Sequence, residues 1–363
     1  MPKTPGHSNA QNPIAEAVPR LKRLLPRLGG KRIGVLGDLM LDRYWWGTAS
    51  RLSPEAAVPV VDFAEQSECL GGAGNVAANL SALGARVEAF GAIGSDEPGH
   101  ALQKCLRAAN ILAEGVLADP KRVTTVKTRI IARHQQIVRI DHERREQLGK
   151  ETSEKLLRHL FSALKKLDAL VLSDYDKGLI TDDFADRVLG AAHQLKVPVF
   201  VKPKTSRLYA YRGARCIVCN AKEAGFFVTR SLTDEKSVEE AGRALLAHFG
   251  CTSVVITRGE KGMSIFEEST PRHFRIPATS FEVTYARLGQ PGVERGATGR
   301  QVFDVTGAGD TVLSVLSLAA AAGAPLPDAA MLANTAAGVV VGKLGTASVT
   351  PQELAWAVDD LRR

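Results

Sequence analysis

Aromatic side chains are scarce in this chain of 363 residues, only 6% of the total. A core of this size must then close through tightly packed Ala, Val and Leu, with 33 glycines available for the turns. Cysteine is also rare. The five present, Cys69, Cys105, Cys216, Cys219 and Cys251, are odd in number and widely spread, which argues against a disulfide framework. Cys216 and Cys219 have CxxC spacing. They sit in the apolar run "CIVCN" with no second pair or histidine nearby, and read as core residues of a buried strand. No apolar run approaches the ~20 residues of a membrane span. The polar start "MPKTPGHSNAQNP" has no signal-peptide pattern and reads as a disordered tail over residues 1–13. A cytoplasmic protein with no membrane partner is expected. No basic block interleaved with aromatics is present, so the net charge of +8 points away from nucleic acid and toward small anions such as phosphorylated metabolites.

What the chain does have is alternation. After a first helix over about 14–28, the apolar runs "RIGVLGD", "VEAFGAIG", "ALVLSDYD", "VPVFVKP", "CIVCN" and "SVVITRG" alternate with helix-patterned segments such as "GNVAANLSALGA" and "SVEEAGRALLAHFG". Strands and helices of these lengths predict βαβ units and a mostly parallel sheet flanked by helices, an α/β fold over residues 14–363. Asp38, Asp174, Asn220 and Arg258 then share one edge of the sheet, where ligands of open α/β sheets bind. Two segments break the rhythm, at about 43–66 and 121–143. Both alternate β-branched or aromatic residues with polar ones, which predicts a small antiparallel β lid. Uncovered lid edges would be closed by a second lid, so a homodimer is expected. Residues 280–300 are Gly-rich and weakly patterned, and read as a long loop.

Four short stretches carry chemistry. "DVTGAGDT", 304–311, places glycines where backbone approaches a ligand and then starts a helix, an anion site with Asp310 at its mouth. An acid there is repelled by a static phosphate. It makes sense as the base that deprotonates a hydroxyl attacking a phosphoryl group, against the plainer reading of a helix N-cap. "GGAGNVAANLSALG" is a second Gly-rich turn into a helix, with Asn75 and Asn79 one turn apart. "NAKE" sets Asn220 and Glu223 just beyond a strand, suited to a hydrated Mg²⁺ near a polyphosphate, or to a capping box. "TRGEKG" adds another turn at the same edge.

"GGAGN" and "DVTGAGDT" resemble the two signatures of the ribokinase-like (PfkB) carbohydrate kinases. "GDLMLDRYWWGTASRLSPEAAVPVV", "LSDYDKG", "HQQIVRID" and "AAGVVVGKLGT" are similar to the kinase domain of the D-glycero-β-D-manno-heptose-7-phosphate kinases of Gram-negative bacteria, over about 31–361. The resemblance implies a ribokinase-like fold and ATP-dependent phosphorylation of the anomeric hydroxyl, giving the 1,7-bisphosphate for ADP-heptose and lipopolysaccharide core. With no HxGH-type motif, the stand-alone kinase form is expected. Asp310 would be the base, with the Gly307, Ala308 and Gly309 amides holding developing charge. Asn220, Ala221, Lys222 and Glu223 would contact ATP and its Mg²⁺, Glu223 through water. Thr257, Gly259 and Gly262 would lie along the nucleotide, and Asn334 and Gly338 near the adenine. Asp38, Asp42, Gly71, Gly72 and Asn75 would bind sugar hydroxyls, joined by Asp174 at the same edge. Arg129, Arg133, Arg139 and Lys177 are the cations for the existing 7-phosphate, with Lys177 at the sheet edge. One departure stands out: "VKPKT" puts Lys202 where the family carries an acid, which either weakens metal ordering or supplies a direct phosphate contact. Two alternatives stay open, a kinase for another sugar or sugar phosphate on this scaffold, and a catalytically weak regulatory protein that binds a sugar phosphate.

Overall fold

The computed structural model describes residues 13–132, 135–207, 210–271, 273–279, 305–343 and 345–361. The expected tail up to residue 12, the loop 280–300 and Arg133 lie outside the described residues, and Pro13 opens the first helix.

The strands, in chain order, are β1 (Arg32–Gly37), β2 (Leu39–Leu52), β3 (Pro59–Gly72), β4 (Arg86–Gly94), β5 (Leu112–Asp119), β6 (Thr125–Ala132), β7 (Gln135–His142), β8 (Ala169–Ser173), β9 (Val199–Lys202), β10 (Cys216–Asn220), β11 (Ser253–Thr257), β12 (Met263–Glu267) and β13 (Phe274–Ile276). The helices are α1 (Pro13–Leu24), α2 (Ala73–Ala82), α3 (Glu97–Ala108), α4 (Lys150–Leu164), α5 (Asp182–Gln194), α6 (Ala221–Phe227), α7 (Glu235–Phe249), α8 (Ala308–Ala321), α9 (Leu326–Val340) and α10 (Pro351–Asp360).

Nine strands form one sheet in the order β13-β12-β11-β10-β9-β8-β1-β4-β5. From β11 to β5 every pair is parallel, and β12 and β13 add an antiparallel edge. Alternation along each strand feeds two cores. Ala169 and Val171 join the cluster under α1, α2, α3, α8, α9 and α10, while Leu170 and Leu172 join the one under α4, α5, α6 and α7. Cys216 and Cys219 follow the same rule. They are buried on opposite faces, and all five cysteines are free. The predicted mostly parallel α/β sheet with flanking helices is what forms.

The lid is a second sheet of four strands, β3-β2-β6-β7. The hairpins β2–β3 and β6–β7 are antiparallel, as the patterning predicts. The two hairpins join through a parallel pair, β2 with β6, so the lid is mixed at its centre. Its strands also reach deeper than expected: β2 starts at Leu39, directly after Asp38, and β3 ends at Gly72, directly before α2. The lid is thus rooted in the sheet edge. No helix among the described residues is long and apolar enough to cross a membrane.

Candidate active site

The strand ends deliver charge to one edge. β1 leads into Asp38 and β8 into Asp174 and Tyr175, while β9 ends at Lys202 and β10 at Asn220. α8 begins there too. Its first turn depends on Gly307, whose φ is +81° and whose missing Cβ would lie 2.8 Å from the Asn75 amide nitrogen. A side chain is disfavoured by both the backbone conformation and the close approach. This turn brings Asp310 to the wall of a cavity of about 510 Å³, shared with Asp42, Tyr175, Lys202, Asn220, Glu223 and Thr257.

Asp310 is buried, and both carboxylate oxygens are held. Oδ1 accepts from Lys202 Nζ at 2.6 Å and from the Tyr175 hydroxyl, and Oδ2 accepts from Asn75 Nδ2 at 3.0 Å. Asn79 Nδ2 donates to Asn75 Oδ1 at 3.1 Å, and Asn79 Oδ1 accepts from the Thr311 hydroxyl at 3.2 Å. The two asparagines therefore lock α2 to α8 and aim Asn75 at the carboxylate. Oδ2 keeps a lone pair for a further donor, so Asp310 can take a proton from a hydroxyl placed in the cavity. Burial alone would push the Lys202 ammonium down. The Asp310 charge and the Tyr175 oxygen more than offset it and hold Lys202 protonated above the usual lysine range. Burial, and then the Asp310 charge, push the Tyr175 phenol above its ordinary value.

The acceptor side is dense with buried acids. Asp42 pairs with Arg129 at 2.7 Å; burial pushes its carboxyl up and Arg129 opposes the shift. Asp38 does not itself line the cavity: its Oδ2 accepts the backbone N–H groups of Tyr175 at 2.9 Å and Lys177 at 3.2 Å, while Oδ1 makes no hydrogen bond among the described residues and lies 4.0 Å from an Arg122 nitrogen. Burial and the nearby Asp174 charge push Asp38 up to about 6. Asp174 reaches the wall but is committed to the Tyr211 hydroxyl, to Arg207 Nε at 3.0 Å and to the Asp176 amide at 2.7 Å. Gly71 and Gly72 close β3 ahead of α2, with Gly72 on the wall.

The cations on the wall come from the lid, from the end of β9 and from the chain just after it: Lys127, Arg129, Arg139, Lys202 and Lys204. Arg139 is held by Asp141 at 2.8 Å, and Lys127 by the same carboxylate at 2.8 Å. Lys177 sits elsewhere than expected. It is 6% exposed, its ammonium is 2.7 Å from Glu143, and it takes no part in the wall, so the distal cation expected of it is not delivered to the cavity.

On the opposite side, Asn220 and Glu223 form the capping box of α6. The Glu223 amide donates to Asn220 Oδ1 at 2.9 Å and the Asn220 amide to Glu223 Oε2 at 2.9 Å. Both residues nevertheless line the cavity, beside Thr257 and Gly259. Ala221 and Lys222 open α6, and Gly262 closes the turn into β12. Asn334 and Gly338 lie on α9 against the chain leaving β13. Asn334 Nδ2 donates to the Pro277 carbonyl at 2.9 Å, and a Cβ on Gly338 would fall 2.3 Å from the Thr279 carbonyl oxygen. No group of three or more His, Cys, Asp or Glu side chains is arranged to hold a metal among the described residues. One carboxylate, Glu223, on a cavity wall that also carries lysines and arginines suits a Mg²⁺ held mainly by water and the oxygens of a bound phosphate.

Sequence reasoning missed Tyr175 and Lys127. Lys127 carried a signal: it lies two residues before Arg129 on the same strand and shares its face. Tyr175 stood inside the quoted "LSDYD", but nothing local says that its hydroxyl reaches α8.

The profile of the pfkB family carbohydrate kinase matches residues 31–353. Curated relatives named bifunctional protein HldE match at 44% identity over 88% of this chain and 61% of the relative in Geobacter metallireducens, and at 42% over 92% and 64% in Geobacter sulfurreducens. The chain thus spans a little over six tenths of the length of those relatives. Its fold superposes on phosphofructokinase-2 from Escherichia coli in complex with substrates and products, with a TM-score of 0.73 at 17% identity, covering 92% of this chain and 100% of that one. It also superposes on Arabidopsis thaliana ribokinase complexed with ribose and ATP, with a TM-score of 0.66 at 16% identity, covering 92% and 99%. With a family match across most of its length, and with the glycine turn, the buried Asp310 and the lid in one cavity, the chain belongs to the pfkB family of carbohydrate kinases.

Proposed function

We propose that this chain is an ATP-dependent kinase that phosphorylates the anomeric hydroxyl of D-glycero-β-D-manno-heptose 7-phosphate in the cytoplasm, for ADP-heptose and lipopolysaccharide core. The observation that carries the reading is Asp310: a buried carboxylate at the start of α8, with an open lone pair facing a cavity of metabolite size. The stretches similar to heptose-7-phosphate kinases and the HldE-named relatives support the choice of sugar.

Asp310 takes the proton of the acceptor hydroxyl. The amides of Gly307 and Gly309, on the cavity wall at the positive end of the helix, hold charge on the transferred group, while the Ala308 amide donates to the Val305 carbonyl at 3.2 Å. Asp42 on the cavity wall accepts sugar hydroxyls, and Asp38, whose Oδ1 makes no hydrogen bond among the described residues and lies 4.0 Å from an Arg122 nitrogen, is the second acceptor, set behind the wall. Lys127 and Arg139 on the lid wall meet the 7-phosphate, with Arg129 committed to Asp42. Asn220, Thr257 and Gly259 line the nucleotide, and Glu223 reaches Mg²⁺ through water; the metal neutralises phosphate charge. Leu52, Val58, Phe63, Val138 and Ile140 are exposed on the lid, an apolar set that a second lid covers in a homodimer.

The test is turnover with ATP on a panel of heptose 7-phosphate, free heptose, fructose 6-phosphate and ribose, with the product read by phosphorus NMR. Strong preference for heptose 7-phosphate with a new anomeric phosphate is expected. Preference for another sugar would reassign the acceptor, and no turnover on any of them would leave a binding protein.

A further inference from the structure

Lys202 has more donors than its known contacts use. Its ammonium lies 2.6 Å from Asp310 Oδ1 and 3.1 Å from the Tyr175 oxygen, which occupies two of its three N–H bonds. The third has no hydrogen-bond acceptor among the described residues, although the ammonium also lies 4.8 Å from the centre of the Tyr175 ring, and the side chain is 21% exposed on the cavity wall. The ammonium is also 3.6 Å from the point that a Cβ on Gly309 would occupy. A full positive charge therefore shares the pocket formed by the first turn of α8.

We propose that Lys202 is a catalytic residue that contacts the phosphoryl group during its transfer, supplied from the same chain at the end of β9. This rests on the kinase reading above. In the resting site the ammonium is neutralised by Asp310. In the reaction the acceptor hydroxyl gives its proton to Asp310, and its oxygen bonds to the γ-phosphorus of ATP. The bond from that phosphorus to the bridging oxygen breaks, and its electron pair leaves with ADP. As Asp310 gains the proton it loses its charge, and the Lys202 ammonium is released from the ion pair just as charge spreads over the phosphoryl oxygens. The free third N–H already reaches the bound γ-phosphoryl group in the ground state, and the contact strengthens further in the transition state, the condition for raising kcat. A purely structural Lys202, present only to neutralise Asp310, would affect the γ-phosphoryl group only through the bared Asp310 charge, so its loss would not matter in an Asp310→Asn background, whereas a direct contact would still be lost there.

The two roles separate in nucleotide binding, which does not depend on the sugar. Calorimetry with Mg²⁺ compares the triphosphate analogue AMP-PNP with ADP in the unaltered chain, in Lys202→Met and in Lys202→Arg. A charge-assisted contact to the γ-phosphoryl group predicts that Lys202→Met weakens AMP-PNP about tenfold to a hundredfold, leaves ADP within about twofold, and that Lys202→Arg keeps most of the lost preference. Where a sugar phosphate is turned over, kcat should fall about a hundredfold in Lys202→Met with little change in the sugar KM. Unchanged AMP-PNP affinity, equal loss of AMP-PNP and ADP, or an arginine variant as impaired as the methionine one would each overturn the proposal. Loss of triphosphate preference in a chain that turns over none of the sugars would keep Lys202 at the γ-phosphoryl group and refute the acceptor reading instead.

Discussion

The two sides of the cavity are built on different principles. Toward the lid, Asp38, Asp42, Asp174 and Arg129 are buried and nearly all of their polar atoms are committed. Toward β10 and β11, Asn220 and Gly259 are exposed, and Asn220 and Glu223 are occupied with capping their own short helix. On the proposed reading, the reacting end of the sugar phosphate offers hydroxyls, so that part of its side needs acceptors fixed in advance, and burial makes each one costly to leave unpaired. A nucleotide brings its own charge, so turns and backbone N–H groups suffice. Substitutions on the sugar side should therefore cost both folding and turnover, and those on the nucleotide side little of either.

The largest effect is expected where the two sides meet. Asp310→Asn keeps the shape and the acceptor for Asn75 but removes the base. Turnover should fall ~10²–10⁴-fold with ATP binding largely kept, measured by steady-state kinetics and calorimetry. A variant with most of its turnover would reduce Asp310 to a helix-terminal residue.

Arg129→Ala tests the sugar side alone. It strands the Asp42 carboxylate in a buried site, and breaking such a pair typically costs about 3–5 kcal/mol. Denaturant unfolding should show a loss of that size. Asp42→Asn combined with Arg129→Met should recover most of it, because no buried charge is then left alone. A loss below about 1 kcal/mol would mean that the pair behaves as a surface contact.

Asp38 gives the same side a pH signature. Its carboxyl is raised from 3.8 to about 6 by burial and by Asp174, against the two backbone N–H groups and Arg122. The sign follows from linkage. Protonated Asp38 is the form the fold prefers, so its contribution is complete below its unfolded value and is lost as pH rises through about 6. Asp38→Asn keeps an oxygen for the Tyr175 and Lys177 amides without the charge. The variant should gain on the unaltered chain between about pH 4 and 6, by up to ~3 kcal/mol, while losing affinity for the sugar. Parallel stability curves across that range would rule the shift out.

Much of this asymmetry was legible in the sequence because it is local. An apolar run ending in an acid marks a strand end at the sheet edge, and that reasoning located Asp38, Asp174 and Asn220. The glycines before Asp310 marked the start of α8 for the same reason, and the buried Cys216 and Cys219 followed from one apolar strand. What was not legible depends on how distant elements meet. The parallel pairing of β2 with β6 decides that Lys127 and Arg129 reach the cavity while Lys177 turns to Glu143. Tyr175 and Lys202 meet Asp310 across 135 and 108 residues of chain. The capping role of Glu223 was legible, but whether it also serves a metal was not, since one spacing satisfies both.

Glu223 on the nucleotide side carries the smallest expected effect, and two substitutions separate its roles. Glu223→Ala removes the reach back to the Asn220 amide. Loss of such a cap costs roughly 0.5–2 kcal/mol, and the lower end applies here because α6 is short and Asn220 is exposed. Glu223→Gln keeps an oxygen for that amide and removes the charge. If the carboxylate only caps the helix, Glu223→Gln should match the unaltered chain in both stability and Mg²⁺ dependence. If it also holds Mg²⁺ through water, stability should stay within about 0.5 kcal/mol while the Mg²⁺ concentration for half-maximal turnover rises severalfold. The second outcome is expected, because the Glu223 side chain lines the cavity as well as the cap. A Mg²⁺ titration identical to that of the unaltered chain would leave the nucleotide side with no metal-directed carboxylate among the described residues, and would place the whole burden of holding the metal on the phosphates themselves.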